Sequence, residues 1–187
     1  INPNEVEGLK EAYDDTIGSG KLYLYDHFGS VEADNLISKI KYLANGLECD
    51  FIFLDHLSIA ISGLDFQSND ERKLIDYTMT TLRSKIVEAT GVGLVVISHL
   101  RRPEGNKGYE EGMSVSLNAL RGSHAIAQLT DTVIGLERDQ SDSEDSSLTK
   151  IRVLKNRFNG MTGLAGAIKY NTTTGCYDEM HKDTDEF

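Results

Sequence analysis

Three places in the sequence set a chemically capable polar side chain directly after a run of apolar residues. Asp55 follows Phe51-Ile52-Phe53-Leu54, His99 follows Val95-Val96-Ile97-Ser98, and Asp26-His27 follows Lys21-Leu22-Tyr23-Leu24-Tyr25. In an open parallel sheet, ligands bind beyond the carboxyl ends of the strands, so residues in these places are the first candidates for chemistry. An aspartate after four apolar strand residues has the Walker B arrangement, in which a carboxylate holds the water shell of a magnesium ion bound to nucleotide phosphates. Strand-terminal aspartates also act as plain caps, and a lone histidine is more often structural than catalytic. On these positions alone both readings stay open.

Two further stretches carry cations. Lys155-Asn156-Arg157 precedes the turn residues Asn159-Gly160. Long cations there either protect a strand edge against aggregation or reach a phosphate, where a planar guanidinium stabilises charge that grows in the transition state. The segment Leu100-Arg101-Arg102-Pro103-Glu104-Gly105-Asn106-Lys107-Gly108 leads to Leu120-Arg121-Gly122-Ser123, whose glycine and backbone amides suit close approach to a phosphodiester. A solvated charged loop is the plain alternative.

The elements that must position these residues are legible in the apolar periodicity. Residues 21–27 alternate as a strand, and residues 31–46 place Val31, Leu36, Ile37, Ile40, Leu43 and Ala44 near helical spacing behind Ser30 as N-cap. Residues 51–54 read as a strand buried on both faces of a parallel sheet. A long helix is expected from about Asn69 to Ala89, capped by Ser68 or Asn69 and stopped at Gly91, followed by a second apolar strand from Val92. Strand and helix in alternation with short connections is the pattern of βαβ units. Beyond it the sequence predicts a polar loop over 101–115, a short helix over 118–129, a strand over 131–137, and an antiparallel hairpin built from 150–156 and 165–170. The stretch 139–147 reads as a solvated loop and 178–187 as a flexible acidic tail.

Length and composition set the outer bounds. The 187 residues suffice for one domain with a sizeable core, and 39% hydrophobic with 26% charged residues is an ordinary globular balance. No apolar run approaches the roughly 20 residues of a membrane span, and the start at Ile1 lacks the regions of a signal peptide. Cys49 and Cys176 form neither a C-x-x-C pair nor a disulfide framework, which fits a reducing, cytoplasmic setting. The net charge of −11 is segregated: residues 139–147 and 178–187 together supply −8, whereas residues 148–177 carry five cations and no acid.

The motifs FIFLDHLS, NDERKLID, GVGLVVISHLRRPEG, LRGSHAIAQLTDTVIGLERDQ and IRVLKNRFNGMTGLAG with KYNTTTG, in that order, resemble the carboxyl-terminal part of a superfamily-4 replicative helicase. These are the RecA-like hexameric motors of the DnaB-like helicases, the Twinkle helicase and the primase-helicases of short-tailed phages, and the phage branch is the nearest. The resemblance implies an α/β fold: a RecA-like P-loop NTPase core with a mostly parallel sheet flanked by helices and a carboxyl-terminal antiparallel hairpin. It implies a motor portion over residues 1–177 and an acidic tail over 178–187.

At matching positions the resemblance implies that Asp55 is the Walker B carboxylate for Mg2+, and that His99 senses the γ-phosphate of ATP or dTTP. Arg157 resembles the arginine finger that reaches the nucleotide of a neighbouring subunit in a ring hexamer, with Lys155 beside it. Arg138 and Tyr170 match positions that flank the base. Arg101, Lys107, Arg121, Gly122, Ser123 and Gln128 match the region that grips single-stranded DNA, although Gly105 and Ala127 stand where the phage pattern favours cations. The tail ending in Phe187 implies docking on a DNA polymerase, the alternative being a merely solubilising tail. No G-x-x-x-x-G-K-[ST] loop occurs, and Ile17-Gly18-Ser19-Gly20-Lys21 lacks its spacing, so the chain by itself is expected not to hydrolyse ATP. Two other readings compete: another RecA-like ATPase of recombinase or clock type, and a non-catalytic RecA-like interaction module.

Overall fold

The computed structural model describes residues 3–25, 33–62, 71–103, 105, 107–120, 124–141 and 146–180. Helix α1 (Pro3–Asp15) and a 3-10 turn (Ile17–Ser19) precede α2 (Ala33–Asn45), β1 (Phe51–Leu54) and a short α3 (Leu57–Ser62). A helical rod follows, made of α4 (Glu71–Leu82), a π-helical turn (Arg83–Val87) and α5 (Glu88–Thr90), then β2 (Gly93–Val96). Next come a 3-10 turn (Leu117–Ala119), α6 (His124–Leu129), β3 (Thr132–Arg138), β4 (Leu148–Asn156), β5 (Gly163–Tyr170) and β6 (Tyr177–Met180).

The strands form two sheets. β1 and β2 pair in parallel, Phe51 opposite Gly93 and Leu54 opposite Val96, and β3 to β6 form an antiparallel sheet in chain order. One apolar cluster joins α2, the helical rod and the parallel pair: Ile40, Ile52, Leu57, Ile75, Leu82 and Ile86 are buried in it, and Ile126 brings α6 to it. Burying such side chains contributes about 1.5–3 kcal/mol each. Gly91 adopts φ 76° after the rod and its N–H bonds the Val87 carbonyl, so the expected stop is where the spacing placed it.

Several expectations need correction. Residues 21–25 form no strand: they are exposed and have no ladder partner among the described residues, and 26–27 lie outside those residues, as do Ser30, Ser68 and Asn69. Alternation alone does not make a strand when no neighbouring edge satisfies its backbone. β1 is not buried on both faces: Ile52 points into the core while Phe51 and Phe53 are exposed, because the described elements cover only one face of the parallel pair. The helix expected over 118–129 is split, with Leu120 bridged to Leu100 between its two parts. The tail is shorter than 178–187, since Asp178, Glu179 and Met180 pair with Lys169, Ile168 and Ala167. Neither α1, α3 nor the π turn was foreseen. Among the described residues no helix is long and apolar enough to cross a membrane.

In β3 the alternation places Val133, Gly135 and Glu137 inward. Glu137 is a buried carboxylate, and its Oε1 accepts both the Val115 N–H and the Arg152 Nε–H at 2.7 Å, while its Oε2 accepts from Arg152 Nη2 at 3.2 Å. Arg152 lies on β4 opposite Gly135, the small residue against which the Val115 side chain closes. The Glu137 hydrogen bond raises the pKa of Arg152 further. Truncating Glu137 strands a guanidinium and an amide together. Glu137→Ala is expected to cost about 3–5 kcal/mol in urea unfolding, whereas a loss under about 1 kcal/mol would show that the pair is solvated.

Candidate active site and cation hairpin

The carboxyl ends of β1 and β2 lie side by side, and the backbone ladder runs past the strands to fix them. Ile97 N–H bonds the Leu54 carbonyl at 3.0 Å, and Leu57 N–H bonds the Ile97 carbonyl at 2.9 Å. This parallel pairing brings Asp55 and His99 to one end of the sheet. His56 stands between them: its ring meets that of His99 edge-on, 4.2 Å between centroids at 65°. Its Nδ1 is buried without a hydrogen-bond partner among the described residues. Asp55 itself is exposed and makes no ion pair with any described residue. No group of three or more His, Cys, Asp or Glu able to enclose a metal occurs among the described residues. A lone outward carboxylate suits magnesium nonetheless, because that ion keeps most of its waters and takes one or two carboxylates together with substrate phosphates.

The cations of the hairpin form a second group. β4 carries one extra residue, Leu154, between the partners of Val133 and Ile134, and such a bulge re-aims neighbouring side chains. Lys155 beside it sends its Nζ to the carbonyls of Ala127 and Thr130, both at 2.6 Å, and of Gln128 at 3.4 Å. These are the carbonyls that the end of α6 leaves without intrahelical donors, where a cation is favoured. Arg157 donates its main-chain N–H to the Asp131 carbonyl at 2.8 Å, and its guanidinium stands 3.5 Å from Asp131 Oδ1 with most of the side chain in solvent. The other oxygen, Oδ2, takes Arg83 Nη1 at 2.5 Å, and Arg83 Nε reaches Glu88 at 3.1 Å. The Arg83 hydrogen bond holds the Asp131 carboxyl below the usual carboxylate range, against the opposing effect of burial.

Arg138 on β3 and Tyr170 on β5 flank the opposite end of β4. Arg138 Nε bonds the Ser146 carbonyl at 2.5 Å, Tyr170 N–H bonds the Ser147 carbonyl at 3.1 Å, and the Tyr170 ring leans on Tyr177 with centroids 5.2 Å apart. Arg138 pairs with Thr149 at the start of β4, and Val133 with Lys155 near its end. At roughly 3.3 Å per residue the two groups are on the order of 20 Å apart within one chain. Arg101 and Lys107 are exposed along the loop after β2, around a recess of about 500 Å³ that Glu110 and Glu111 also line. The Arg101 N–H anchors this loop to the Ala119 carbonyl at 2.9 Å. Arg121, Gly122, Ser123 and Phe187 lie outside the described residues.

Reading the sequence missed His56, Asp131 and Arg83. His56 had a signal, since it adjoins Asp55. The Arg83–Asp131 contact spans 48 positions and leaves no trace in local spacing.

A family model described as the DnaB-like helicase C terminal domain matches residues 1–178. A DNA helicase/primase of Enterobacteria phage T3 is 48% identical over 165 residues, spanning 88% of this chain and 28% of its own length. Two solved structures share the fold. One is a DnaB-like replicative helicase described with its interactions with primase (TM-score 0.65, 19% identity, 84% of this chain and 37% of that one). The other is described as an ATPase domain (TM-score 0.69, 18% identity, 97% of this chain and 66% of that one). This chain therefore spans just over a quarter of the curated relative it matches.

Because the carboxyl of Asp131 is more acidic folded than unfolded, its contribution to stability is full above the unfolded value and is lost as pH falls through the folded one. Between about pH 4 and pH 2 the wild-type chain is therefore expected to lose more unfolding free energy than Asp131→Asn. Parallel pH profiles in urea titrations would refute the pairing.

Proposed function

The chain belongs to the DnaB-like helicase C-terminal domain family, and from that premise we propose that it is the carboxyl-terminal part of a ring-forming motor that translocates on single-stranded DNA during replication. The observation that carries the reading is the joint placement of Asp55 and His99 at the carboxyl ends of paired parallel strands, with Arg157 reaching into solvent from a separate element. Asp55 is the residue that would hold a magnesium ion through its waters, and the ion would offset the charge of the nucleotide phosphates. His99, braced on His56, stands one residue before the loop that carries Arg101 and Lys107, so a change in the phosphates at the strand end is transmitted directly to that loop.

Arg157 is the finger supplied to the nucleotide, ATP or dTTP, of the next subunit. Its guanidinium is largely exposed, as delivery in trans requires. Lys155 anchors the hairpin on α6 and reaches the nucleotide that the family resemblance implies only when its ammonium leaves the Ala127 and Thr130 carbonyls; Arg138 and Tyr170, at the other end of β4, are the base-flanking positions that the resemblance implies. Arg101, Lys107, Arg121, Gly122, Ser123 and Gln128 contact the DNA backbone, which suits a motor that must hold any sequence. The acidic residues up to Phe187 dock on a DNA polymerase. The 187 residues contain no G-x-x-x-x-G-K-[ST] loop, and on this reading hydrolysis is an activity of the full-length protein.

In the full-length protein, Arg157→Ala is expected to lower DNA-stimulated hydrolysis by at least about 10³-fold with nucleotide binding nearly intact; loss of binding instead would sink the finger assignment. Replacing Lys107 and Arg121 with alanine should weaken single-strand binding and reduce the slope of log affinity against log salt by about 0.7 for each lost phosphate contact. An unchanged slope removes both from the DNA path.

A further inference from the structure

We propose that Asp131 is a positioning residue for Arg157, and that Arg83, from the π-helical turn of the helical rod, fixes the carboxylate that does so. The inference rests on the finger reading of Arg157 and extends it to two residues that reading does not contain. Three links tie residues 127–131 to the end of β4. The Lys155 ammonium sits on the carbonyls of Ala127 and Thr130, the Arg157 N–H sits on the Asp131 carbonyl, and the Arg157 guanidinium leans on Asp131 Oδ1. The first two are short and hold the root of the side chain. The third, at 3.5 Å, leaves the charged head 61% exposed.

That division of labour follows from how the carboxylate is shared. Oδ2 of Asp131 is taken by Arg83 at 2.5 Å, and Arg83 is itself steadied by Glu88. A carboxylate with one oxygen committed in this way offers a second guanidinium a weak, directional rest rather than a bidentate clamp. Arg157 is thus kept near one orientation yet exchanges its partner for a phosphate at small cost. Keeping the head pre-oriented also limits the rotamer entropy lost on reaching the phosphate. If Asp131 is neutralised, Arg83 and Arg157 are left as two like charges around an amide, and the finger loses its resting direction while its backbone anchor persists.

The test uses the full-length protein and reads kcat and KM of DNA-stimulated nucleotide hydrolysis together with the thermal midpoint. Asp131→Asn is expected to lower kcat by roughly ten- to a hundredfold, the scale of a small misplacement, with KM within about twofold. In an Arg157→Ala background the same substitution should have little further effect, because it acts through the side chain already removed. Full multiplicative loss in the double variant would assign Asp131 a role independent of Arg157 and overturn the proposal. If Arg157→Ala is slow but Asp131→Asn turns over like wild type, the positioning role fails while the finger reading stands; if Arg157→Ala itself is unimpaired, both fall. Should Asp131→Asn not fold, Arg83→Gln keeps the carboxylate and removes its tether. A fall in kcat without a change in KM is expected there too, and a wild-type rate would overturn the proposal.

Discussion

The end of α6 exposes main-chain carbonyls that no residue of its own helix can satisfy, and the Lys155 ammonium, brought there by the bulge in β4, is their donor. Much of the functional geometry hangs on this contact. It joins the antiparallel sheet to the helix whose Ile126 enters the core of the parallel pair, so the two sheets are linked through a charge on a helix terminus as well as through apolar packing. Two residues further on, Arg157 inherits its root position from the same strand end. A lysine met as a candidate ligand thus has a mechanical role in this chain, and its charge reaches outward only if the carbonyls find another donor.

The parallel pair places its chemistry by simpler means. Apolar side chains on β1 and β2 fix the strands, backbone bonds extend the ladder by a few residues, and the first polar groups past the core, Asp55, His56 and His99, are delivered to one edge. Nothing in that chain of causes requires long-range charge. It requires that the register be right, because a slip of one residue would turn Ile52 outward and Phe51 and Phe53 inward.

This contrast explains what the sequence made legible. Helix α2, the rod up to Gly91, both parallel strands and the hairpin strands are written in periodicities of a few residues, and they appear within a residue or two of the expected bounds, except that the start of the rod lies outside the described residues. Asp55 and His99 followed from the same local pattern, as polar residues ending apolar runs. Residues 21–25 of the strand expected over 21–27 have the right alternation but no partner edge among the described residues, a tertiary condition that alternation does not encode. The π-helical turn is likewise invisible, because 83–87 carry the same apolar spacing as the α-helix around them. Asp131 stands directly before β3 and looks like any acidic strand-capping residue until Arg83 arrives from 48 positions away.

Charge shows the same limit in a sharper form. Residues 148–177 carry five cations without an acid, and their spacing leaves open whether they protect a strand edge or reach a phosphate. In the fold three of these cations take partners from outside the segment: Arg152 pairs with Glu137, Lys155 sits on carbonyls, and Arg157 leans on Asp131. A polyanion would have to break these contacts to use the cations, whereas a single phosphate needs only the weakest of them, the 3.5 Å contact of Arg157. Arg101, Arg102 and Lys107 are exposed along the loop after β2, a segment anchored by the Arg101 N–H on the Ala119 carbonyl and by the Gly108 N–H on Glu111 Oε2. On the finger and DNA-loop readings proposed above, the hairpin thus suits one discrete anion and the loop an extended one.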